Sequence, residues 1–131
     1  MEAVIERRER LRREGLRRAR EFTSCVKRLL GDATAIVVGS YARGDFNAWS
    51  DIDVLVIVRE APRNPIERLR AVEECLTKYP RVEPVIISLD DLDRLIRKRN
   101  PMLVEAARDG IVLEDDLNIV EEIRKRLATR T

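Results

Sequence analysis

Two short segments near the middle of the chain carry residue types that could do chemistry together. In residues 39–44 an apolar run ends in glycine and serine, and an arginine follows within one turn. In residues 50–53 two aspartates stand one residue apart at the start of another apolar run. Glycine, serine and arginine bind phosphate groups, and paired carboxylates bind divalent cations. The closeness of the segments predicts one site for a phosphate compound and a metal.

The glycine-serine turn has the features of a phosphate-binding loop. Gly39 lacks a Cβ, so an anion can approach the backbone closely. The backbone amides that follow and the hydroxyl of Ser40 suit phosphate oxygens, and Arg43 can reach the same anion. An ordinary strand-to-helix turn is the alternative, because Gly-Ser turns are common.

The two aspartates predict a cation site. Side chains alternate along a strand, so Asp51 and Asp53 face the same side, about 7 Å apart. Their mutual repulsion is costly without a cation, and hard oxygen ligands suit Mg²⁺ or Mn²⁺. Aspartates that only end the strand in solvent are the alternative. The two segments together have what phosphoryl or nucleotidyl transfer needs, because a loop can hold the polyphosphate while metals activate an attacking hydroxyl.

The patterns around these segments predict an α/β (α+β) fold, with a small mixed sheet covered by helices and a long N-terminal helix. The predicted strands are 35–38, 51–58, 82–88 and 111–113. The predicted helices are 3–30, one opened by Asn64-Pro65 and stopped by Pro80, one capped by Ser88 with Asp91, one opened by Asn100-Pro101, and 117–127. The helix after Asn64 is expected to bury an apolar face formed by Ile66, Leu69, Val72 and Leu76.

The length of 131 residues predicts a single domain, 1–131, and the charged fraction of 38% without histidine is typical of heat-adapted proteins. Within it we expect a basic helix in 1–30, the catalytic sheet core in 35–88 and C-terminal helices in 89–131. Residues 1–30 carry a net charge of +5 in a chain of net charge +2. This segment could attract phosphates or an acidic partner protein, or it could be a solvated helix with Glu–Arg pairs.

The two cysteines, Cys25 and Cys75, lie on separate predicted helices and outside any CxxC pair. With no histidine present they do not predict a zinc site, so we expect reduced thiols packed in the core. The sequence shows no secretory leader and no apolar run of membrane-spanning length. We therefore expect a cytoplasmic protein with no membrane partner.

The two central segments resemble the signature of the DNA polymerase β-like nucleotidyltransferase superfamily, and most closely that of its minimal nucleotidyltransferases, or MNT proteins. The runs are Gly-Ser-Tyr-Ala-Arg-Gly at 39–44 and Ser-Asp-Ile-Asp-Val-Leu-Val at 50–56. They cover about a seventh of the chain, and the order of elements resembles the family's over most of the rest. The resemblance implies the family's palm-like fold.

The resemblance also implies roles for the residues of the two runs. Gly39, Ser40 and Arg43 would bind the nucleotide, while Asp51 and Asp53 would be catalytic and hold the metal. Two Mg²⁺ ions are implied, with Mn²⁺ as the alternative.

A third carboxylate on a later strand normally completes the metal site in this family and can deprotonate the acceptor hydroxyl. Glu83 is the acidic residue of the predicted strand 82–88, so the resemblance assigns it this catalytic and metal-binding role. The family more often has aspartate here, and Pro84 indicates an edge strand. A base that does not bind metal, or a solvent-facing edge residue, is the alternative.

The activity implied is transfer of a nucleoside monophosphate, AMP from ATP in particular, to an acceptor hydroxyl with release of pyrophosphate. Similar minimal proteins act as antitoxins that AMPylate a helical HEPN partner in HEPN/MNT toxin–antitoxin pairs, and this is the specific activity expected. A catalytically silent nucleotide- or partner-binding module and an antibiotic adenylyltransferase are the alternatives. Direct nucleic-acid binding is disfavoured because aromatic residues make up only 4% of the chain.

Two further points stay open. The single tryptophan, Trp49, could stack on a base or pack its loop against the domain. Assembly into a homo-oligomer is compatible with the sequence but is not indicated by it.

Overall fold

The computed structural model describes residues 3–128, in which four strands form one sheet and seven helices surround it. In chain order the elements are α1 Val4–Leu30, β1 Ala33–Val38, α2 Gly39–Arg43, β2 Ile52–Val58, α3 Pro65–Ala71, α4 Glu73–Lys78, β3 Val82–Ser88, α5 Leu89–Arg97, α6 Pro101–Asp109, β4 Ile111–Asp115 and α7 Val120–Arg126. The predicted α/β fold with a small mixed sheet and a long N-terminal helix is confirmed. No helix in this part of the chain combines the length and the apolar character needed to cross a membrane.

The strand order β3-β2-β1-β4 places β1 and β2 at the centre of the sheet. β1 runs antiparallel to β2 and β4, whereas β2 and β3 are parallel. All six residues of β1 are buried, and Asp53 is the one residue of β2 that is not. Continuous apolar runs suit strands that are covered on both faces.

Helices pack on both faces of this sheet. On one face Phe22 of α1 belongs to the same buried cluster as Val54. On the other face Leu103 of α6 and Ile123 of α7 share a cluster with Leu55. Successive residues of β2 therefore enter opposite cores, which fixes the strand's orientation.

The prediction of one continuous helix after Asn64 is wrong. The helix divides at Val72 into α3 and α4, and two residues of its expected buried face, Ile66 and Leu69, are 63% and 40% exposed. Arg68 attaches α3 to the domain instead, because it donates to the Ile86 carbonyl at 2.8 Å and its side chain is only 13% exposed. A polar attachment of this kind leaves no trace in the apolar pattern.

The predicted helix starts are confirmed where side-chain caps define them. Ser88 and Asp91 form a reciprocal capping box at the start of α5. The Asn100 side chain accepts hydrogen bonds from the N–H groups of Met102 and Leu103 at the start of α6. These caps satisfy amides that have no partner within the helix.

The expectation of two reduced cysteines is also wrong. Cys25 of α1 and Cys75 of α4 form a disulfide, with their Cα atoms 5.8 Å apart. The two helices lie against each other in the same buried cluster, so the pairing follows from tertiary packing across 50 positions of the sequence. Neither cysteine has a local motif that could predict this.

Reduction of the disulfide should destabilise the protein. The disulfide joins residues 50 positions apart and so restricts the unfolded chain. We therefore expect reduction to lower the free energy of unfolding by about 4 kcal/mol. Thermal unfolding with and without a thiol reductant measures the effect. The double variant Cys25→Ser/Cys75→Ser is the control and should not respond to reductant. An unchanged midpoint for the reduced wild type would contradict the prediction.

Candidate active site

The pairing register brings the ends of three strands together at one edge of the sheet. Val38, the last residue of β1, lies opposite Asp53 of β2, and Asp53 lies opposite Glu83 of β3. Because β1 is antiparallel to β2 while β3 is parallel to it, the end of β1 meets the beginnings of the other two. Gly39, which follows Val38, therefore lies beside Asp53, and Glu83 lies on the far side of Asp53.

The carboxylate of Asp53 lies where a side chain at position 39 would be. A Cβ built on Gly39 would overlap Oδ2 of Asp53. Gly39 also has φ +70, a conformation that residues with a side chain rarely adopt. The turn and one of the two aspartates thus face a common space. Asp51 stands just before the first residue of β2 and is exposed.

Arg43 and Gly39 share a partner that the sequence patterns did not indicate. Glu105 of α6 accepts a hydrogen bond through Oε1 from the Gly39 N–H at 3.0 Å and from Nη1 of Arg43 at 2.6 Å. Arg43 also donates through Nε to Asp45 at 3.2 Å. The contacts of Glu105 span 66 and 62 positions, so no local signal could have revealed them.

Two arginines of the basic N-terminal helix orient α2 from its far end. Arg8 and Arg12 donate to backbone carbonyls in and after α2 over 2.6–3.1 Å, namely those of Tyr41, Ala42, Gly44 and Phe46. Basic side chains stabilise carbonyls that have no partner at a helix end. Ser40 lies half-buried in the turn that is held in this way.

A close approach of α1 to α2 also fixes the turn. A Cβ on Gly15 of α1 would overlap the ring of Tyr41, which itself stacks on Phe46 with ring centroids 4.4 Å apart. Gly15 is buried although it stands in the middle of a helix, where glycine is unfavourable. The cost in helix propensity is offset by the aromatic packing that positions α2.

The loop between α2 and β2 has its own hydrogen bonds and exposes Trp49. Asn47 accepts a hydrogen bond from the Trp49 N–H at 2.8 Å, and Arg81 donates to the Ser50 carbonyl at 2.7 Å. The Trp49 side chain is 89% exposed. The interpretation that Trp49 packs its loop against the domain is therefore wrong. Stacking of Trp49 on a base stays a prediction.

The acidic residues at the sheet edge affect one another electrostatically. Partial burial, and then the charges of Asp51 and Glu105, raise the pKa of Asp53. Arg43 acts in the opposite direction. The charge of Asp53, then burial and the charge of Asp51, raise the pKa of Glu83.

This repulsion bears on whether the site fits a metal. In the described part of the chain, no three His, Cys, Asp or Glu side chains lie close enough together to form a preformed metal site. Burial and then neighbouring negative charge nevertheless raise the pKa of Asp53, and neighbouring negative charge is the largest cause of the raised pKa of Glu83. A divalent cation would relieve the part of both shifts that comes from charge. Three oxygen-bearing side chains at one edge of the sheet also suit a hard cation. The donor set therefore fits the metal that the sequence indicates.

Comparison with known proteins identifies the family. Residues 19–128 match the family described as the nucleotidyltransferase domain. The chain belongs to this family. The resemblance found in the sequence is thereby confirmed, and members of this family are transferases that generally use divalent metals.

Two curated relatives come from Methanocaldococcus jannaschii, and each is named "putative protein adenylyltransferase". The first is 29% identical in an alignment 90 residues long that covers 63% of this chain and 60% of the relative. The second is 32% identical in an alignment 71 residues long that covers 53% of this chain and 70% of the relative. The chain thus spans less than two thirds of the first relative's length.

Two solved structures share the fold of this nucleotidyltransferase. A "putative nucleotidyltransferase" from Sulfolobus solfataricus has a TM-score of 0.58 at 20% identity, covering 80% of this chain and 84% of its own. A toxin-antitoxin structure with AMP-PNP also has a TM-score of 0.58, at 15% identity, and the match covers 80% of this chain and 79% of the other. At these identities the likeness concerns the fold alone.

The raised pKa of Asp53 predicts how stability depends on pH when metal is chelated. A carboxyl whose folded pKa is raised stabilises the fold below its ordinary value of 3.8 and loses that contribution as pH rises through the folded pKa. We therefore expect Asp53→Asn to gain stability over the wild type as pH rises from about 4 to 6. The gain should stay within about 1 kcal/mol, because solvent screens a half-exposed group.

Thermal unfolding as a function of pH, in chelator, measures this difference. Glu60→Gln removes an exposed carboxylate away from the sheet edge and is the matched control. A wild type that remains as stable as Asp53→Asn across this range would contradict the electrostatic description of the site.

Proposed function

We propose that this nucleotidyltransferase transfers AMP from ATP to a hydroxyl of a protein and releases pyrophosphate. The observation that carries the proposal is the position of the Asp53 carboxylate against Gly39, with Glu83 on the adjacent strand. A phosphate group held at the Gly39 turn would thus be next to the carboxylates that attract a cation. This adjacency is what nucleotidyl transfer requires.

The phosphate-binding residues have separate roles in this proposal. The Gly39 amide and the Ser40 hydroxyl donate to oxygens of the β- and γ-phosphates. The Arg43 guanidinium adds a charge-assisted hydrogen bond to the same groups. Arg8 and Arg12 do not touch the nucleotide but hold the turn at its other end.

Asp51, Asp53 and Glu83 are the residues that would hold Mg²⁺, with two ions as the expected number and Mn²⁺ as an alternative. When bound, the metal would supply positive charge to the phosphate oxygens and favour ionisation of the acceptor hydroxyl. The Asp51 and Asp53 carboxylates would keep their charge next to the metal. Glu83 would take the proton of the acceptor hydroxyl as the hydroxyl oxygen bonds to the α-phosphorus and pyrophosphate leaves. Glu83 is exposed on an edge strand, whereas Asp53 is partly buried, so Glu83 is accessible to an incoming acceptor.

The acceptor that we propose is a HEPN-type helical protein, the partner of an antitoxin. Two relatives are named as protein adenylyltransferases, and one solved structure of this fold is a toxin-antitoxin. A basic groove of about 390 Å³ between α1 and the α4–β3 corner supports docking of an acidic protein surface. Its basic lining residues are Arg17, Arg18, Lys78 and Arg81. Arg81 links the groove to the active-site loop through the Ser50 carbonyl.

Removal of either aspartate should abolish transfer without unfolding the protein. We expect Asp51→Asn and Asp53→Asn to lose at least about 100-fold in rate, because metal charge stabilisation contributes several kcal/mol to such reactions. Pyrophosphate release and transfer of label from ATP labelled at the α-phosphate measure the activity, and circular dichroism checks the fold. Glu60→Gln is the control. Full Mg²⁺-dependent activity in Asp53→Asn would refute the assignment, and ATP binding without pyrophosphate release would indicate a silent binding module.

Charge reversal in the groove should weaken transfer to a protein acceptor while ATP binding is retained. We expect Arg18→Glu/Lys78→Glu to reduce labelling of the helical protein encoded by the neighbouring gene by about tenfold or more, since like charges across an interface cost several kcal/mol. The control, Arg124→Glu/Lys125→Glu, makes the same change on α7, which packs on the opposite face of the sheet. An unlabelled neighbour protein with both Mg²⁺ and Mn²⁺ would contradict the proposed acceptor.

A further inference from the structure

Glu105 is hydrogen-bonded to the Gly39 amide and the Arg43 guanidinium, two of the groups that bind phosphate in the proposed function. One of its oxygens accepts from both the Gly39 amide and the Arg43 guanidinium, at 3.0 and 2.6 Å. Two neighbours on α6, Leu103 and Ala106, are buried at 1% exposure, so the backbone that carries Glu105 is anchored in the core. The carboxylate is therefore presented to the turn by a fixed element.

We propose that Glu105 is an internal competitor of the nucleotide and thereby sets the binding strength that an anion must exceed to occupy the turn. The inference rests on the proposed function, because it concerns the same amide and guanidinium. A bound phosphate oxygen must take over the hydrogen bonds that Glu105 accepts, so every anionic ligand loses affinity by the strength of those bonds. An anion with a single weak contact cannot compensate for this loss, whereas a triphosphate with its cations makes several contacts at once.

The charges around Arg43 strengthen this competition. Arg43 donates to Asp45 as well as to Glu105, so two carboxylates neutralise one guanidinium. The charge of Glu105 also acts on Asp53, whose pKa it helps to raise. An incoming phosphate therefore meets negative charge both at the turn and at the sheet edge until Glu105 withdraws.

The same contacts could instead serve to position Arg43, and one substitution separates the two roles. In Glu105→Gln the side-chain oxygen can still accept from Gly39 and Arg43, but the negative charge is lost. If Glu105 competes, a weaker neutral acceptor is easier to displace and the ligand binds more tightly. If Glu105 only positions Arg43, the glutamine variant binds as the wild type does and Glu105→Ala binds less tightly.

Calorimetric titration with a non-hydrolysable ATP analogue and Mg²⁺, and separately with inorganic pyrophosphate, tests the proposal. We expect Glu105→Gln to bind both ligands roughly tenfold more tightly, because charged acceptors form hydrogen bonds about twice as strong as neutral ones. Glu105→Ala, which removes the acceptor altogether, should also bind at least as tightly as the wild type. Glu114→Gln, which makes the same chemical change at an ion pair with Lys27 between α1 and β4, should leave binding unchanged.

Each result has a distinct meaning. Wild-type or weaker binding by Glu105→Gln would overturn the inference while the proposed function stands. No binding of the ATP analogue by the wild type or by either Glu105 variant would overturn both. Melting curves establish that the variants are folded, and a misfolded glutamine variant would leave Glu105→Ala to decide, with weaker binding again refuting competition.

Discussion

The pairing of Val38 with Asp53 and of Asp53 with Glu83 is the constraint on which the site depends. Side chains alternate along a strand, so a slip of β2 by one residue would move Asp53 to the other face and send each apolar residue of the strand into the opposite core. Val54 and Leu55 enter opposite clusters, and this burial opposes any such slip. The hydrophobic pattern that forms the core thus also sets the position of the carboxylate relative to the Gly39 turn.

Arginine side chains form several of the hydrogen bonds that join the turn and other elements to the domain. Arg8 and Arg12 bind carbonyls at the end of α2, Arg81 binds the loop before β2, and Arg68 attaches α3 to the end of β3. Guanidinium groups can donate several hydrogen bonds in fixed directions, so they can join elements whose apolar surfaces are small. Part of the basic N-terminal helix is therefore structural. The remaining basic surface near Arg18 borders the groove proposed for the acceptor.

The sequence predicted features whose determinants are local. The Ser88 cap, the Asn100 cap and the central strands depend on neighbouring residues or on alternation, and these predictions are confirmed. The disulfide and the contacts of Glu105 join residues at least 50 positions apart, so they depend on tertiary packing that one sequence does not display. The exposed Ile66 shows the converse error, in which an apolar periodicity was interpreted as burial although a charged residue makes the attachment. The roles of Asp51, Asp53 and Glu83 stay predictions that the geometry supports.

The balance of charge at the sheet edge bears on how a nucleotide could enter. Asp53 and Glu83 repel each other, and Glu105 with Asp45 neutralises Arg43. A free polyphosphate would bring further negative charge to this edge, and a free cation would be attracted to the carboxylates but would not displace Glu105 from the turn. A polyphosphate that carried its own cations would remove both obstacles together, since the cations would meet the carboxylates while the phosphates replaced Glu105. If the proposed nucleotide and metal bind here, these charges favour their entry as one complex.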